Sequence, residues 1–158
     1  MALFDKNRFT QTRTDWPTPP EVFQPLDKEF RFTLDPCADP SNKKCAKFFT
    51  KEIDGLAQSW QGYNCYVNPP YGPGMVKWLA KALSESETGK TIAVCLIPAR
   101  TNTNWWHDIC MKAAEIRFIR GRPKFIGATH GLPQPLALII FKKHTQTNPI
   151  LSTFEMGG

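Results

Sequence analysis

The chain has 158 residues, a length that suits one domain and leaves no room for two. Lysine and arginine number 20 against 14 acidic residues, a net charge of +6, so the surface field favours an anionic partner. Mean hydropathy is −0.37, and the longest apolar runs, residues 92–97 and 136–141, fall far short of the ~20 residues of a membrane span. A membrane protein is excluded, and both runs read as buried strands. Residues 1–10 carry Asp5, Lys6, Asn7 and Arg8 where an export signal would be apolar, so a cytoplasmic protein is expected. The five cysteines, Cys37, Cys45, Cys65, Cys95 and Cys110, form no Cys-x-x-Cys pair, which predicts reduced thiols and no metal centre. There are 14 prolines, and they cluster where loops are expected.

Asp15-Trp16-Pro17-Thr18-Pro19-Pro20 cannot be regular helix, because each proline fixes its own φ and pushes the preceding residue extended. A helix over residues 21–29 follows, with Pro20 at its start and Thr18 as its N-cap. Residues 31–34 read as a strand that delivers Asp35 to its carboxyl end, before the turn Asp35-Pro36-Cys37-Ala38-Asp39-Pro40. A second strand is predicted at 47–50, then Asp54-Gly55-Leu56 as a short strand, then a strand over 65–67 ending on Asn68-Pro69-Pro70-Tyr71. Residues 75–84 place Val76, Leu79, Ala80 and Leu83 at helical spacing. The run 92–97 reads as a central parallel strand that breaks at Pro98-Ala99-Arg100-Thr101. Beyond it come a helix over 105–114, a strand over 116–119, a long basic loop over 121–134 and a final strand over 136–141. Strands alternating with helices define an α/β fold with a mostly parallel sheet. The organisation is an arm over 1–13, a compact domain over 14–143 and a tail over 144–158.

Asn68-Pro69-Pro70-Tyr71 at a strand end is the informative feature. It looks like the [DNS]-P-P-[YFW] signature of amino-methyltransferases. With Trp16-Pro17-Thr18-Pro19, Leu34-Asp35-Pro36-Cys37-Ala38, Asp54-Gly55-Leu56, Leu96-Ile97-Pro98-Ala99-Arg100-Thr101, Trp105-Trp106-His107 and Gly121-Arg122-Pro123-Lys124-Phe125 in order, residues 14–142 resemble the phage-type DNA N-6-adenine methyltransferases of the Dam family. The resemblance implies a single-domain Rossmann-like fold with a reduced helix complement, S-adenosylmethionine as methyl donor and DNA as substrate. It also implies a phage or prophage source, in the host cytoplasm, guarding DNA from restriction.

The chemistry accounts for the residue types. An exocyclic adenine amine shares its lone pair with the ring, and it becomes nucleophilic when acceptors hold its two protons and favour a tetrahedral nitrogen. The Asn68 side-chain oxygen and the Pro69 carbonyl can be those acceptors, stiffened by Pro69 and Pro70. Tyr71 offers a stacking face to a base flipped from the duplex.

By resemblance, Asp35 takes the donor's ammonium, Asp54 its adenine amine, and Trp16, Thr18 and Pro19 lie over the methionine moiety, with Pro36 and Cys37 completing the turn. That turn, Pro36-Cys37-Ala38, replaces the Gly-rich turn of the wider class, and the stretch from Asp35 to Asn68 is short for two βα units. Glu52 is the candidate for the ribose hydroxyls. Arg117, Arg120, Arg122 and Lys124, running into Phe125 and the segment 127–131, form the candidate DNA contact, whereas Trp105 and Trp106 read as packing residues. Cytosine amines, RNA bases, glutamine side chains, or a non-catalytic DNA-binding module stay open as alternatives, as does the choice of monomer or homodimer.

Overall fold

The computed structural model describes residues 17–125 and 134–157. Helix α1 spans Pro20–Phe30 and buries Val22, Leu26 and Phe30, one stripe at four-residue spacing. Strand β1 is Asn64–Val67, helix α2 Met75–Ser86 and strand β2 Ile92–Pro98. A five-residue helix α3, Asn104–Asp108, precedes a 3-10 turn at Cys110–Lys112 and strands β3 Glu115–Ile119, β4 Leu136–Phe141 and β5 Ile150–Phe154.

The sheet runs β1-β2-β4-β3-β5. β1 and β2 are parallel, β4 is antiparallel to both β2 and β3, and β5 is parallel to β3, so among the described residues four strands point one way and β4 alone points back. Outside β1, single parallel bridges Leu34↔Cys65 and Asp35↔Phe48 continue the sheet by two segments. The chain steps outward from Leu34 to Phe48 and then returns to β1 on the other side of Leu34. That reversal is the topological switch point of an open α/β sheet, where ligands collect beyond the carboxyl ends of the strands. The arrangement is an open, mostly parallel, Rossmann-like α/β sheet with few helices.

Both faces of the sheet are covered, which is why β2 and β4 are apolar throughout. Alternate residues sort into two cores. Cys95, Ile97, Ile139 and Phe141 pack with Leu79 of α2 and Trp60. Val94, Leu96, Leu138 and Ile140 pack with Val22 and Leu26 of α1.

Several expectations are corrected. The N-cap of α1 is Pro19, with no side-chain cap bond; the Thr18 hydroxyl is spent instead on the Tyr66 hydroxyl. The strands expected at 31–34 and 47–50 shrink to the two bridges; at the start of the first, Arg31 takes a left-handed conformation, φ 52°, at the end of α1. Asp54 lies in no strand; it caps a 3-10 turn, Gly55–Ala57, by accepting from the Leu56 N–H. The helix expected over 105–114 breaks at Ile109 into α3 and the 3-10 turn. α2 rotates relative to the expected stripe and buries Met75, Leu79, Ala82 and Ser86. The tail over 144–158 is not outside the sheet: β5 is its edge strand. Pro25, lacking an N–H, leaves the Glu21 carbonyl of α1 unfilled, and the Gly157 N–H fills it at 2.8 Å.

Candidate active site

The carboxyl ends of the strands gather the site. Leu34 bridges Cys65 of β1, so Asp35 and Asn68 emerge from neighbouring parallel segments on either side of the switch point. β1 and β2 pair with Val67 beside Cys95, which sets Asn68 alongside Leu96. The two prolines after Asn68 stiffen the turn, and the Tyr71 hydroxyl donates to the Leu96 carbonyl at 3.3 Å. This bond pins the turn to β2, and burial raises the Tyr71 phenol above its ordinary pKa. The Tyr71 ring packs against the margins of both cores.

Asp35 is buried, 4% exposed. Its carboxylate accepts from the backbone N–H of Cys37 at 3.3 Å and of Lys44 at 3.0 Å, forming an Asx turn as well as a lining of the site. Burial is the largest influence and pushes its pKa up to about 6, opposed by those two N–H groups and by the Lys44 charge. The same burial pushes the Cys37 thiol up to about 12, so it is a turn residue without thiolate character. Lys44 was not singled out by sequence, since its contacts are long-range: its ammonium donates to the Thr18 carbonyl at 2.8 Å and lies 5.3 Å from the Phe23 ring centroid. Tyr66, also missed, links β1 to Thr18.

Among the described residues, a small pocket and a larger cleft open here. A small polar pocket of about 10 Å³ is bounded by Pro17, Thr18, Asp35, Lys44, Tyr66 and Asn68, room for about one water. Sharing the Cys37 and Asn42 wall with it is a cleft of about 700 Å³, lined by Pro36, Asp39, Glu52, Asp54, Pro70 and Trp78 among others. That volume is in the range of small-ligand sites, about 300–1,000 Å³. Gly55 is required at its floor, because a Cβ there would stand 2.0 Å from the Pro36 carbonyl oxygen. Trp60 donates its indole N–H to the Gly55 carbonyl at 2.9 Å and stacks on Trp78 at 6.2 Å.

Of the expected site residues, Thr18, Pro36, Cys37, Asp35, Asn68 and Pro70 line one space or the other, as do Asp54 and Glu52. Pro19 is buried at the head of α1. Trp16 and the segment 127–131 lie outside the described residues. Two of the four cations of the stretch are paired within the fold. Arg117 forms a two-pronged ion pair with Glu29, 2.7 Å on each arm, and meets Glu115 at 3.1 Å. Arg120 pairs with Glu155 at 2.9 Å. Phe125 is 4% exposed and belongs to the core under α1, so it is corrected from a DNA-facing residue to a packing residue. Arg122 and Lys124 remain exposed. Trp106 is buried, as read.

The fold places the Asn-Pro-Pro-Tyr turn at the switch point of an open α/β sheet, and comparison with known proteins gives the class, a DNA methyltransferase. A family model described as "DNA N-6-adenine-methyltransferase (Dam)" matches residues 6–156. The chain is similar to a DNA N-6-adenine-methyltransferase of Haemophilus phage HP1, 31% identical over 148 residues, covering 88% of this chain and 84% of the relative. A second similar protein, the DNA N-6-adenine-methyltransferase of Escherichia phage T1, is 33% identical over 106 residues, 66% of this chain and 44% of the relative. The chain therefore belongs to the DNA N-6-adenine-methyltransferase (Dam) family, and it is an adenine-specific DNA methyltransferase. Among the described residues, no helix is long and apolar enough to cross a membrane.

Proposed function

We propose that the chain transfers a methyl group from S-adenosylmethionine to the exocyclic amine of an adenine flipped out of DNA. The reading rests on one juxtaposition: Asp35 and Asn68 end neighbouring parallel segments at the switch point, facing the same small pocket.

The residues present fit the donor. Asp35, a buried carboxylate held by two N–H groups, suits an ammonium beneath Thr18. Glu52 and Asp54 in the larger cleft suit ribose hydroxyls and an adenine amine. S-adenosylmethionine supplies an electrophilic methyl group.

The Asn68 side-chain oxygen and the Pro69 carbonyl would accept hydrogen bonds from the two N–H groups of the target amine, making its nitrogen lone pair available for attack; the methylated nitrogen then releases one proton to water. The Pro69-Pro70 turn holds these acceptors without reorganisation. The Tyr71 ring replaces part of the stacking lost on flipping, about 1–3 kcal/mol per base. Arg122 and Lys124 join the phosphate contacts, and the duplex approaches over the carboxyl edge of the sheet.

The test is incubation with labelled S-adenosylmethionine and unmethylated DNA, followed by nucleoside analysis. N6-methyladenine is the expected product. Asn68→Ala should keep donor affinity while the methylation rate falls by orders of magnitude; an unchanged rate would remove Asn68 from the mechanism.

A further inference from the structure

Arg117 and Arg120 are engaged by carboxylates of the fold, whereas a further exposed arginine, Arg100, stands at the carboxyl edge of the sheet. We propose that Arg100 is a phosphate-binding residue that holds the DNA backbone beside the flipped adenine. The inference rests on the reading that the base enters at Asn68.

Position is the first argument. β2 leaves the sheet at Pro98, next to β1 and at the same edge as the acceptor turn. Asn68 lies alongside Leu96, whose carbonyl anchors Tyr71, and Arg100 follows four residues later on the rim. β4 enters the sheet at the same edge, with Leu136 paired to Pro98 and the Ala99 N–H donating to the Pro135 carbonyl at 2.9 Å.

Rigidity is the second. The Arg100 N–H donates to the Pro98 carbonyl at 3.0 Å, and the Arg100 carbonyl accepts from the Thr103 N–H at 3.2 Å and hydroxyl at 2.8 Å. His107 donates from Nε2 to the Thr101 carbonyl at 2.8 Å. The backbone beneath the side chain is thus fixed before any ligand arrives, which lowers the entropy lost on binding.

Availability is the third. Arg100 is exposed, and no carboxylate meets it among the described residues. Recruiting Arg120 means breaking its bond to Glu155; recruiting Arg100 breaks nothing. A guanidinium also offers two parallel N–H donors that match a phosphodiester, which an ammonium does not.

The experiment measures affinity for an unmethylated duplex as a function of salt, using fluorescence anisotropy on the full-length protein. Each phosphate contact contributes a slope of about −0.9 to log K against log salt. Arg100→Ala should flatten the wild-type slope by about one, with donor affinity and melting temperature unchanged. Arg100→Lys should restore the slope but only part of the affinity. Lys90→Ala removes the same charge at the amino edge of β2 and should leave the slope as it is. A wild-type slope in Arg100→Ala, or a parallel loss of donor affinity, would overturn the proposal. A wild-type protein that methylates no DNA would instead overturn the reading of the site, a result visible before any variant is made.

Discussion

A Cβ at Gly55 would stand 2.0 Å from the Pro36 carbonyl oxygen and 3.1 Å from Cη2 of Trp78. The two turns that carry Asp35 and Asp54 are therefore in backbone contact, and the absence of a side chain at Gly55 sets the distance between the halves of the cleft. Gly55→Ala must push them apart or shift Trp78. Overpacking of this kind costs about 1–3 kcal/mol. We expect a lower melting temperature together with weaker binding of S-adenosylmethionine, measured by titration; donor affinity equal to wild type would mean that the cleft tolerates the displacement.

Asp35 gives the protein a pH dependence with two opposite signs. Burial raises its carboxyl from an ordinary 3.8 to about 6, Asp39 adds to the rise, and Lys44 with the Lys44 and Cys37 N–H groups opposes it. The folded state binds this proton more tightly than the unfolded chain, so the stabilising contribution is complete below about pH 4 and is lost as pH rises through about 6. Donor binding runs the other way, because only the carboxylate attracts an ammonium: affinity should fall as pH drops below about 6. Melting temperature and donor titration across pH 4–7 separate the two trends. Asp35→Asn should flatten both, and a retained affinity slope would assign it to another group.

The sequence made β2, β4, α1 and α2 legible because each carries its own periodicity or an unbroken apolar run, and the Asn68-Pro69-Pro70-Tyr71 turn legible because its chemistry is local. What was hidden depends on distant partners. The bridges at Leu34 and Phe48 need β1 beside them, and β5 buries only Phe154 of its five residues, so no pattern announced it. Arg117 looked like a free cation because its partner Glu29 stands 88 residues away. Phe125 looked DNA-facing among cations because the core that takes it is assembled from α1, β2 and β4. Of the residues around the small pocket, the sequence singled out Asp35 and Asn68, whereas Lys44 and Tyr66 reach it only through long-range contacts.

Tyr71 combines an anchored hydroxyl with a ring beside the Asn68-Pro69-Pro70 turn, and two substitutions part the anchor from the proposed stacking role. Tyr71→Phe loses the bond to the Leu96 carbonyl, worth about 0.5–1.5 kcal/mol of stability, and should still methylate DNA. Tyr71→Ala removes the stacking face as well, about 1–3 kcal/mol per base, and should weaken DNA binding roughly ten- to hundred-fold. The check is DNA affinity beside melting temperature for each variant. Equal losses of affinity in the two would place the effect in the hydroxyl anchor and not in stacking.

Arg117 separates a structural cation from a DNA-binding one. Its guanidinium is largely buried, 15% exposed, between Glu29 of α1 and Glu115 of β3, and it lies 5.4 Å from the Phe30 ring. Removing it leaves Glu115, itself only 17% exposed, with Lys142 at 3.4 Å as its one ion-pair partner among the described residues. Exposed pairs contribute about 0–1 kcal/mol and breaking buried ones costs about 3–5 kcal/mol; with Glu29 at 47% exposure this network belongs between them, roughly 1–2 kcal/mol. Arg117→Ala should therefore lower the melting temperature while the salt dependence of DNA binding stays at the wild-type slope. A flattened slope with unchanged stability would mean that Arg117 leaves its carboxylates for phosphate when DNA arrives, and that the ion pairs seen here belong to the DNA-free protein.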